Sequence, residues 1–253
     1  MAEKLTAGIC TSGSRVKLSA LSAGKFHSVA KKTLNQEKVL FSMFDRLLGG
    51  CKARLADIST RCVITGPGRF TGLRVGLTLA SVLKTLAGIR VYSSTLFDVL
   101  AAQAAASKEF RGWAAGKKEP RIVALVHAFK DEYFCQAFQV TRQGAPVPSH
   151  QLPAGSYKCE ALEAPRWLKD IEIAGHLGAG RDLYVIADAE EKADIYSLVP
   201  AGFGKAPPRI SRILPDFVIK TGLALKNRDL APLYLKPAKY ELDQKTRQAA
   251  KEL

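Results

Sequence analysis

The sequence lacks any cysteine arrangement that could organise a fold. Its five cysteines are odd in number, and none forms a C-x-x-C pair. This argues against a disulfide framework and against a cysteine-based zinc site. The five positions are Cys10, Cys51, Cys62, Cys135 and Cys159.

Long apolar segments are also missing. No uninterrupted apolar run approaches the roughly 18 residues of a membrane span. The amino terminus, MAEKLTAGIC, has no long apolar region ahead of a small-residue cleavage site. We expect a cytoplasmic protein that has no contact with a membrane.

Acidic residues are scarce relative to basic ones, with 23 Asp and Glu against 38 Lys and Arg and a net charge of +15. Such a surplus attracts nucleic acid, acidic proteins or anionic membranes, although a generally basic solvated surface is the simpler interpretation. No run of basic residues is longer than the pairs Lys31-Lys32 and Lys117-Lys118, so the surplus marks no site.

What the sequence does contain is a regular alternation of apolar strands and helices. Three strands come first, and a capping box at Thr33–Gln36 then predicts a helix that ends at Gly49 and Gly50. Later strands alternate with helices and should be parallel, giving the order βββαβαβα and an α/β class. We assign residues 1–110 to a first lobe.

Residues 111–253 are predicted to form a second, more divergent lobe, whose C-terminal tail we expect to pack back on the first. We expect a polar link at 107–120, followed by strands at 121–128 and 132–140. A weak helix at 161–171, a buried strand at 183–187 and a longer helix at 211–226 should follow.

A glycine-rich turn joins the fourth strand to the second helix in RCVITGPGRFTGLRVG. This glycine loop consists of Gly66, Gly68, Arg69, Phe70, Thr71 and Gly72. It does not match a P-loop, because no Lys follows Gly72. It also fails the dinucleotide fingerprint, because its last glycine falls one position late and no acidic residue ends the next strand. A generic anion site at the helix start, assisted by Arg69 and Arg74, remains open beside a purely structural turn.

The first two helices are too apolar to face only one sheet. In the first, apolar residues sweep about 200° of the circumference, and the second, predicted over 73–87, is apolar almost all round. We interpret them as a docking face covered by another subunit. The expected interface residues are Val39, Met43, Leu47, Arg74, Thr78, Leu79, Ser81, Val82 and Leu83.

Several motifs resemble the TsaB (YeaZ) family. GPGRFTGLRVGL, followed by the STL helix start, is similar to the family's GPGSFTGLRIGL…STLEAL. LTAGICTSGSRVKLSAL resembles its opening strand pair, EYFCQAF its EVYAALY stretch, and APLYLKP its closing PVYLRP. The resemblance covers most of the chain and is thin between residues 145 and 230.

The resemblance implies an actin-like ATPase (ribonuclease H-like) fold with two lobes. It also implies a role in making threonylcarbamoyladenosine beside the anticodon of tRNA. TsaB-like proteins are non-catalytic partners that pair through the first lobe's helices with the catalytic subunit TsaD, and the ATPase TsaE joins them. We therefore expect no required cofactor, room for ATP or ADP only at a subunit junction, tRNA only within the complex, and a homodimer when the chain is alone.

Two departures from the family pattern concern the nucleotide site. The family's Asp before Thr-Ser is Cys10 here, and its second-lobe Asp is His127. A thiol and an imidazole are poor ligands for Mg²⁺, which prefers oxygen. We interpret Cys10, Thr11, Ser12, Gly13 and His127 as a vestigial nucleotide site that lacks catalytic residues and holds no metal.

Three other functions compete with this interpretation. A working ATPase or kinase of the same fold would need a substitute carboxylate, for which Asp131, Glu132, Asp188 and Asp194 are the candidates. A metallopeptidase is disfavoured because the four histidines include no H-x-x-x-H pair. A plain RNA-binding module is disfavoured because none of the common aromatic or Gly-x-x-Gly RNA motifs is visible. We expect the basic surface to help hold tRNA within a complex.

Overall fold

The computed structural model describes residues 5–142, 157–178 and 182–236 of the 253. These parts form two β-sheets, with helices between the sheets and on both outer sides, so the predicted α/β class is confirmed. The tail after Tyr240 and the loops at 143–156 lie outside the described residues.

The first sheet has five strands in the order β3-β2-β1-β4-β5. Its strands are β1 (Leu5–Cys10), β2 (Arg15–Ser22), β3 (Lys25–Lys32), β4 (Ile58–Ile64) and β5 (Arg90–Ser94). The first three pair antiparallel as a meander, while β1, β4 and β5 pair in parallel. Helical crossovers carry the chain back to the same edge before β4 and β5, so those strands run in one direction, as the sequence predicted.

Six α-helices occur in the described residues. They are α1 (Gln36–Gly50), α2 (Phe70–Ala87), α3 (Leu96–Ala106), α4 (Lys108–Ala114), α5 (Asp170–Leu177) and α6 (Pro215–Leu225). With α1, α2 and α3 in place, the first half has the predicted order βββαβαβα. The polar link expected at 107–120 contains α4, whose N-cap Ser107 accepts a hydrogen bond from the backbone N–H of Phe110.

Helices α1 and α2 pack on one face of the first sheet. Alternate residues of β1 and β2 join apolar residues of α1 in one core cluster, which includes Ile9, Leu18 and Phe44. Leu77 and Ala80 of α2 pack with Val63 and Val91 in a second cluster. Burial of apolar surface on this side stabilises the sheet and leaves the outer sides of both helices toward solvent.

The starts of these two helices differ from the prediction. The capping box at Thr33–Gln36 is absent, because α1 has Asn35 at its N-cap with no side-chain cap, and the Gln36 amide instead donates to the carbonyl oxygen of Gly13 at 2.7 Å. Helix α2 begins at Phe70, with Arg69 as its N-cap, three residues before the predicted start.

Helix α6 covers the opposite face of the first sheet, where it contacts all five strands and also packs on α3. It crosses β1 at Gly8, where a Cβ would lie 2.9 Å from Cγ1 of Ile219. Beyond α6 the chain stays on this lobe: the Ser93 N–H donates to the carbonyl oxygen of Asn227, and the Leu233 N–H to that of Thr65, each at 2.8 Å. Helix α6 begins at Pro215, four residues later than the helix predicted over 211–226.

The second sheet has the order β11-β10-β6-β7-β8, with β9 also paired to β7. Its strands are β6 (Arg121–Phe129), β7 (Glu132–Arg142), β8 (Tyr157–Ala161), β9 (Arg166–Lys169), β10 (Leu183–Ala187) and β11 (Gly204–Lys205). One face packs on α3 and the other on α5. The weak helix predicted over 161–171 is wrong, because residues 166–169 pair with β7 and the helix starts only at Asp170.

Candidate functional site

A groove runs between α1 and α2 on the outer side of the first sheet and has a volume of about 570 Å³. We call it the α1/α2 groove. It is lined by Glu37, Leu40, Phe41, Phe70, Thr71, Arg74, Val75, Thr78, Leu79 and Val82. The lining is mostly apolar, with one acidic and one basic side chain.

Large apolar side chains along this groove are exposed to solvent. Phe41 is 63% exposed, Phe70 51% and Val82 44%, and Leu86 at the end of α2 is 81% exposed. A scattered exposed Leu or Val is ordinary, but a contiguous apolar patch marks an interaction surface. Helix α2 has the length and apolar composition of a membrane-crossing helix, by those two criteria alone. In this structure 28% of the helix is buried. Its buried residues include Leu77, which packs on Val63 and Val91 of the sheet.

The structure divides the residues predicted for the docking face. Arg74, Thr78, Ser81 and Val82 are exposed, and Val39, Leu79 and Leu83 are half-buried at the helix flanks. The prediction is wrong for Met43 and Leu47, because both are buried in the core between α1 and the first sheet, where a partner cannot contact them. An apolar arc of 200° does not by itself say which part faces the sheet.

Two aromatic residues were missed as members of the groove. Phe41 belongs to the apolar arc of α1, and Phe70 was placed in the glycine loop although it starts α2. The guanidinium carbon of Arg74 lies 3.9 Å from the centre of the Phe70 ring, and that ring also packs on Tyr234 at 5.4 Å. Phe70 is therefore held between a cation and a second aromatic ring at the groove's end.

The glycine loop packs against the turn between β1 and β2, which we call the hairpin turn (residues 11–14). The Arg69 N–H donates to the carbonyl oxygen of Ser12 at 2.7 Å. A Cβ at Gly68 would overlap that same oxygen, and a Cβ at Gly72 would overlap the carbonyl oxygen of Thr11. Close approach of the two backbones thus accounts for both glycines without a bound phosphate.

A second pocket, which we call the central cleft, lies between the two sheets and has a volume of about 430 Å³. The hairpin turn, the glycine loop, the β6–β7 hairpin and the segment after β10 contribute to it. It is lined by Ser12, Gly13, Gly68, Arg69, Leu96, Val126, His127, Ala128, Phe129, Phe134, Asp188 and Glu191.

The predicted vestigial positions meet at this cleft or just beneath it. Cys10 is buried, its Sγ lies 3.2 Å from Oγ of Ser12, and burial raises the pKa of its thiol, so it stays neutral at pH 7. Nε2 of His127 lies 3.0 Å from the carbonyl oxygen of Lys130, and the ring packs edge-on against Tyr133. His127 is thus engaged within its own hairpin.

Of the four carboxylates considered as substitutes, Asp188 alone lines the cleft. It is 3% exposed, and burial raises its pKa to about 6, with Lys17 opposing the rise and Glu191 and Glu190 adding to it. Glu132 pairs with Lys236, and Asp194 with Lys192. Among the described residues, no three His, Cys, Asp or Glu side chains come together in a metal-binding group.

Sequence reasoning missed two acidic residues here: Glu191, which lines the cleft, and its neighbour Glu190. Oε1 of Glu191 accepts hydrogen bonds from the backbone N–H of Ser14 at 2.8 Å and from its hydroxyl at 2.7 Å. Glu190 forms ion pairs with Arg15, at 3.0 Å, and with Lys17. Because partners separated by more than 170 residues form these contacts, no local pattern could have indicated them.

Comparisons with known proteins agree with this architecture. Residues 30–147, somewhat less than half of the chain, match the family model described as TsaD, tRNA N6-adenosine threonylcarbamoyltransferase. No curated protein matches the chain at a significant level. A structure of YeaZ from Pseudomonas aeruginosa superposes with a TM-score of 0.64 and 18% identity, over 92% of this chain and 100% of that one. A second structure, of an uncharacterized protein with similarity to peptidase YeaZ from the same organism, gives the same values.

The chain is therefore an α/β protein with the actin-like ATPase fold that the sequence resemblance implied. Within that class its similarity is to YeaZ, so the resemblance to the TsaB (YeaZ) family is confirmed at the level of the fold.

Proposed function

We propose that this chain is a non-catalytic scaffold subunit in the threonylcarbamoyladenosine modification of tRNA next to the anticodon, and that it docks a TsaD-like catalytic subunit. The family match over residues 30–147 and the YeaZ-like fold support the pathway. The observation that carries the docking role is the exposed apolar α1/α2 groove.

The groove has the chemistry of a protein interface. Exposed Phe41, Phe70 and Val82 offer apolar surface whose burial would stabilise a complex, and aromatic residues and Arg commonly dominate binding energy at such surfaces. Arg74 and Glu37 lie at the same groove and could orient a partner by charge.

The remaining parts of the proposal follow from this role. Chemistry is left to the TsaD-like subunit, and a TsaE-like ATPase joins the assembly. Transfer RNA binds only within that complex, where the basic surface assists. The free chain forms a homodimer through the same groove, and the protein works in the cytoplasm without a cofactor of its own.

Association with the TsaD-like protein of the same organism tests the proposal. Val82→Glu and Phe41→Glu each place a charge in the groove at a solvent-exposed position, so the fold should survive. Leu79 and Leu83 are less suitable, because they are half-buried against the core. Ile171→Glu on α5 is the matched control, since Ile171 is 82% exposed on the other sheet's side.

We expect each groove variant to weaken binding about 30-fold or more by isothermal titration, which corresponds to about 2 kcal/mol. Ile171→Glu should bind as the unaltered chain does. Unchanged binding by both groove variants would overturn the docking role. In a reconstituted reaction, modification of tRNA by the TsaD-like protein should depend on the chain, and equal product without it would overturn the scaffold role.

A further inference from the structure

Two hydrogen-bond donors of the hairpin turn, both on Ser14, are occupied by the carboxylate of Glu191, which follows β10 and lines the central cleft. Glu191 accepts from both the backbone N–H and the hydroxyl of Ser14. Backbone N–H and hydroxyl groups in a turn are the donors that proteins use to bind anions. Glu191 therefore stands at this turn as a bound anion would.

The contact is close as well as directional. A Cβ at Gly13 would lie 2.6 Å from Oε1 of Glu191, so the carboxylate packs directly against the backbone of residue 13. Gly13 and Glu191 both line the central cleft, which has space for a small ligand beside them.

The basic side chains next to the hairpin turn are also paired with a carboxylate of this chain. Arg15 and Lys17, which follow the turn in β2, both pair with Glu190. Lys17 also donates to the carbonyl oxygen of Ile213 at 3.0 Å. Two of the basic groups next to the turn are thus engaged by the chain's own carboxylate, and buried Asp188 adds a further acidic group to the cleft wall.

We propose that Glu191 is an internal ligand of the hairpin turn, and that it excludes phosphate-bearing small molecules from the central cleft while linking the two sheets. Removing the carboxylate frees the Ser14 donors and the space that Glu191 fills. A phosphate group then binds at the turn. This inference goes beyond the docking role and concerns a different face of the molecule.

Phosphate and ADP binding to the isolated chain test the inference. The variants are Glu191→Ala, which empties the position, and Glu191→Gln, which keeps its size and removes its charge. Glu160→Ala is the control, because it removes the same charge from an exposed residue that pairs with Lys158 on the surface of β8.

We expect Glu191→Ala to bind ADP at least tenfold more tightly than the unaltered chain by isothermal titration, with inorganic phosphate competing. Glu191→Gln should lie between the two, and Glu160→Ala should match the unaltered chain. Equal affinity of all four proteins would overturn the inference. ADP binding that phosphate does not displace would also overturn it, because the turn recognises the phosphate group.

Hydrogen exchange at the Ser14 amide gives a second readout that needs no ligand. Loss of its acceptor should raise the exchange rate at least tenfold in Glu191→Ala and leave it unchanged in Glu160→Ala. An unchanged rate in Glu191→Ala would show that the amide has no carboxylate partner and would overturn the inference. Failure of either test leaves the docking proposal standing, and failure of docking leaves this one standing.

Discussion

The guanidinium group of Arg61 lies against the ring of Phe44, with its central carbon 5.1 Å from the ring centre, in the layer between α1 and the first sheet. Arg61 is completely buried, and none of its three side-chain nitrogens has a hydrogen-bond partner in the part of the chain that the structure describes. Burial lowers its pKa to about 10, so the group is still charged at neutral pH. A charge in this position opposes folding.

Arg61→Met should therefore stabilise the protein. Methionine retains much of the side-chain volume against Phe44 and removes the buried charge, a kind of exchange that often stabilises by about 1 kcal/mol or more. The midpoint of thermal unfolding should rise by about 2 °C or more. A fall in that midpoint would show that the guanidinium makes a favourable contact.

Asp188 predicts a pH-dependent stability. Its pKa is raised from 3.8 to about 6 in the folded chain, so between these values the folded state binds more protons than the unfolded state. The resulting destabilisation is absent below about pH 4, grows as pH rises toward 6, and is complete above it.

Asp188→Asn removes this titration. At pH 7.5 the variant should be more stable than the unaltered chain, by up to about 3 kcal/mol, because the charged form is the one that burial penalises. The gap should narrow toward pH 4. Urea unfolding at both pH values measures it, and a gap independent of pH would contradict the assignment.

Two glycines in helices make a matched pair for the packing of the glycine loop. A Cβ at Gly72 in α2 would overlap the carbonyl oxygen of Thr11, whereas nothing lies within 4 Å of a Cβ at Gly49 in α1. Gly72→Ala should destabilise by about 1–3 kcal/mol through overpacking. Gly49→Ala should stabilise by about 0.5–1 kcal/mol, because alanine favours the helix. Urea titration compares them, and similar effects of both would mean that the loop and turn are not in close contact.

Self-association gives a direct prediction for the groove. If the free chain dimerises through α1 and α2, Val82→Glu buries a charge in each half of a symmetric interface and should shift the protein to monomer. Light scattering after size-exclusion chromatography would show the change in mass. Ile171→Glu should leave the mass unaltered, and a dimer that persists in Val82→Glu must use another surface.

The rival ATPase reading predicts magnesium-dependent ATP turnover by the purified chain alone, and Asp188 is the one considered carboxylate that lines the cleft. We expect no turnover above that of a mock preparation, because Glu191 occupies the hairpin turn. Robust hydrolysis that is lost in Asp188→Asn would instead establish an enzyme.

The first half of the fold could be predicted because its signals are local. The glycines that end α1 and the STL start of α3, where Thr95 caps the helix, both lie within a residue or two of the boundaries they set. The site could not be predicted as fully. Met43 in α1 and Val82 in α2 are both apolar residues of apolar helices. Met43 is buried and Val82 exposed because of how each helix is oriented on the sheet, which the sequence does not reveal. Glu191 reaches the hairpin turn, and Glu190 the start of β2, only through the tertiary fold, and β9 exists because β7 pairs with it.

Because α6 covers the first sheet, that sheet can be completed only after the C-terminal half of the chain has been synthesised. Residues 1–110, which we assign to the first lobe, leave one side of their own sheet bare around Gly8 and Cys62, and the covering helix lies more than 100 residues downstream. A nascent chain must wait for translation to pass Leu225 before that side is shielded. A fragment of residues 1–110 would expose the apolar face of its sheet and should aggregate.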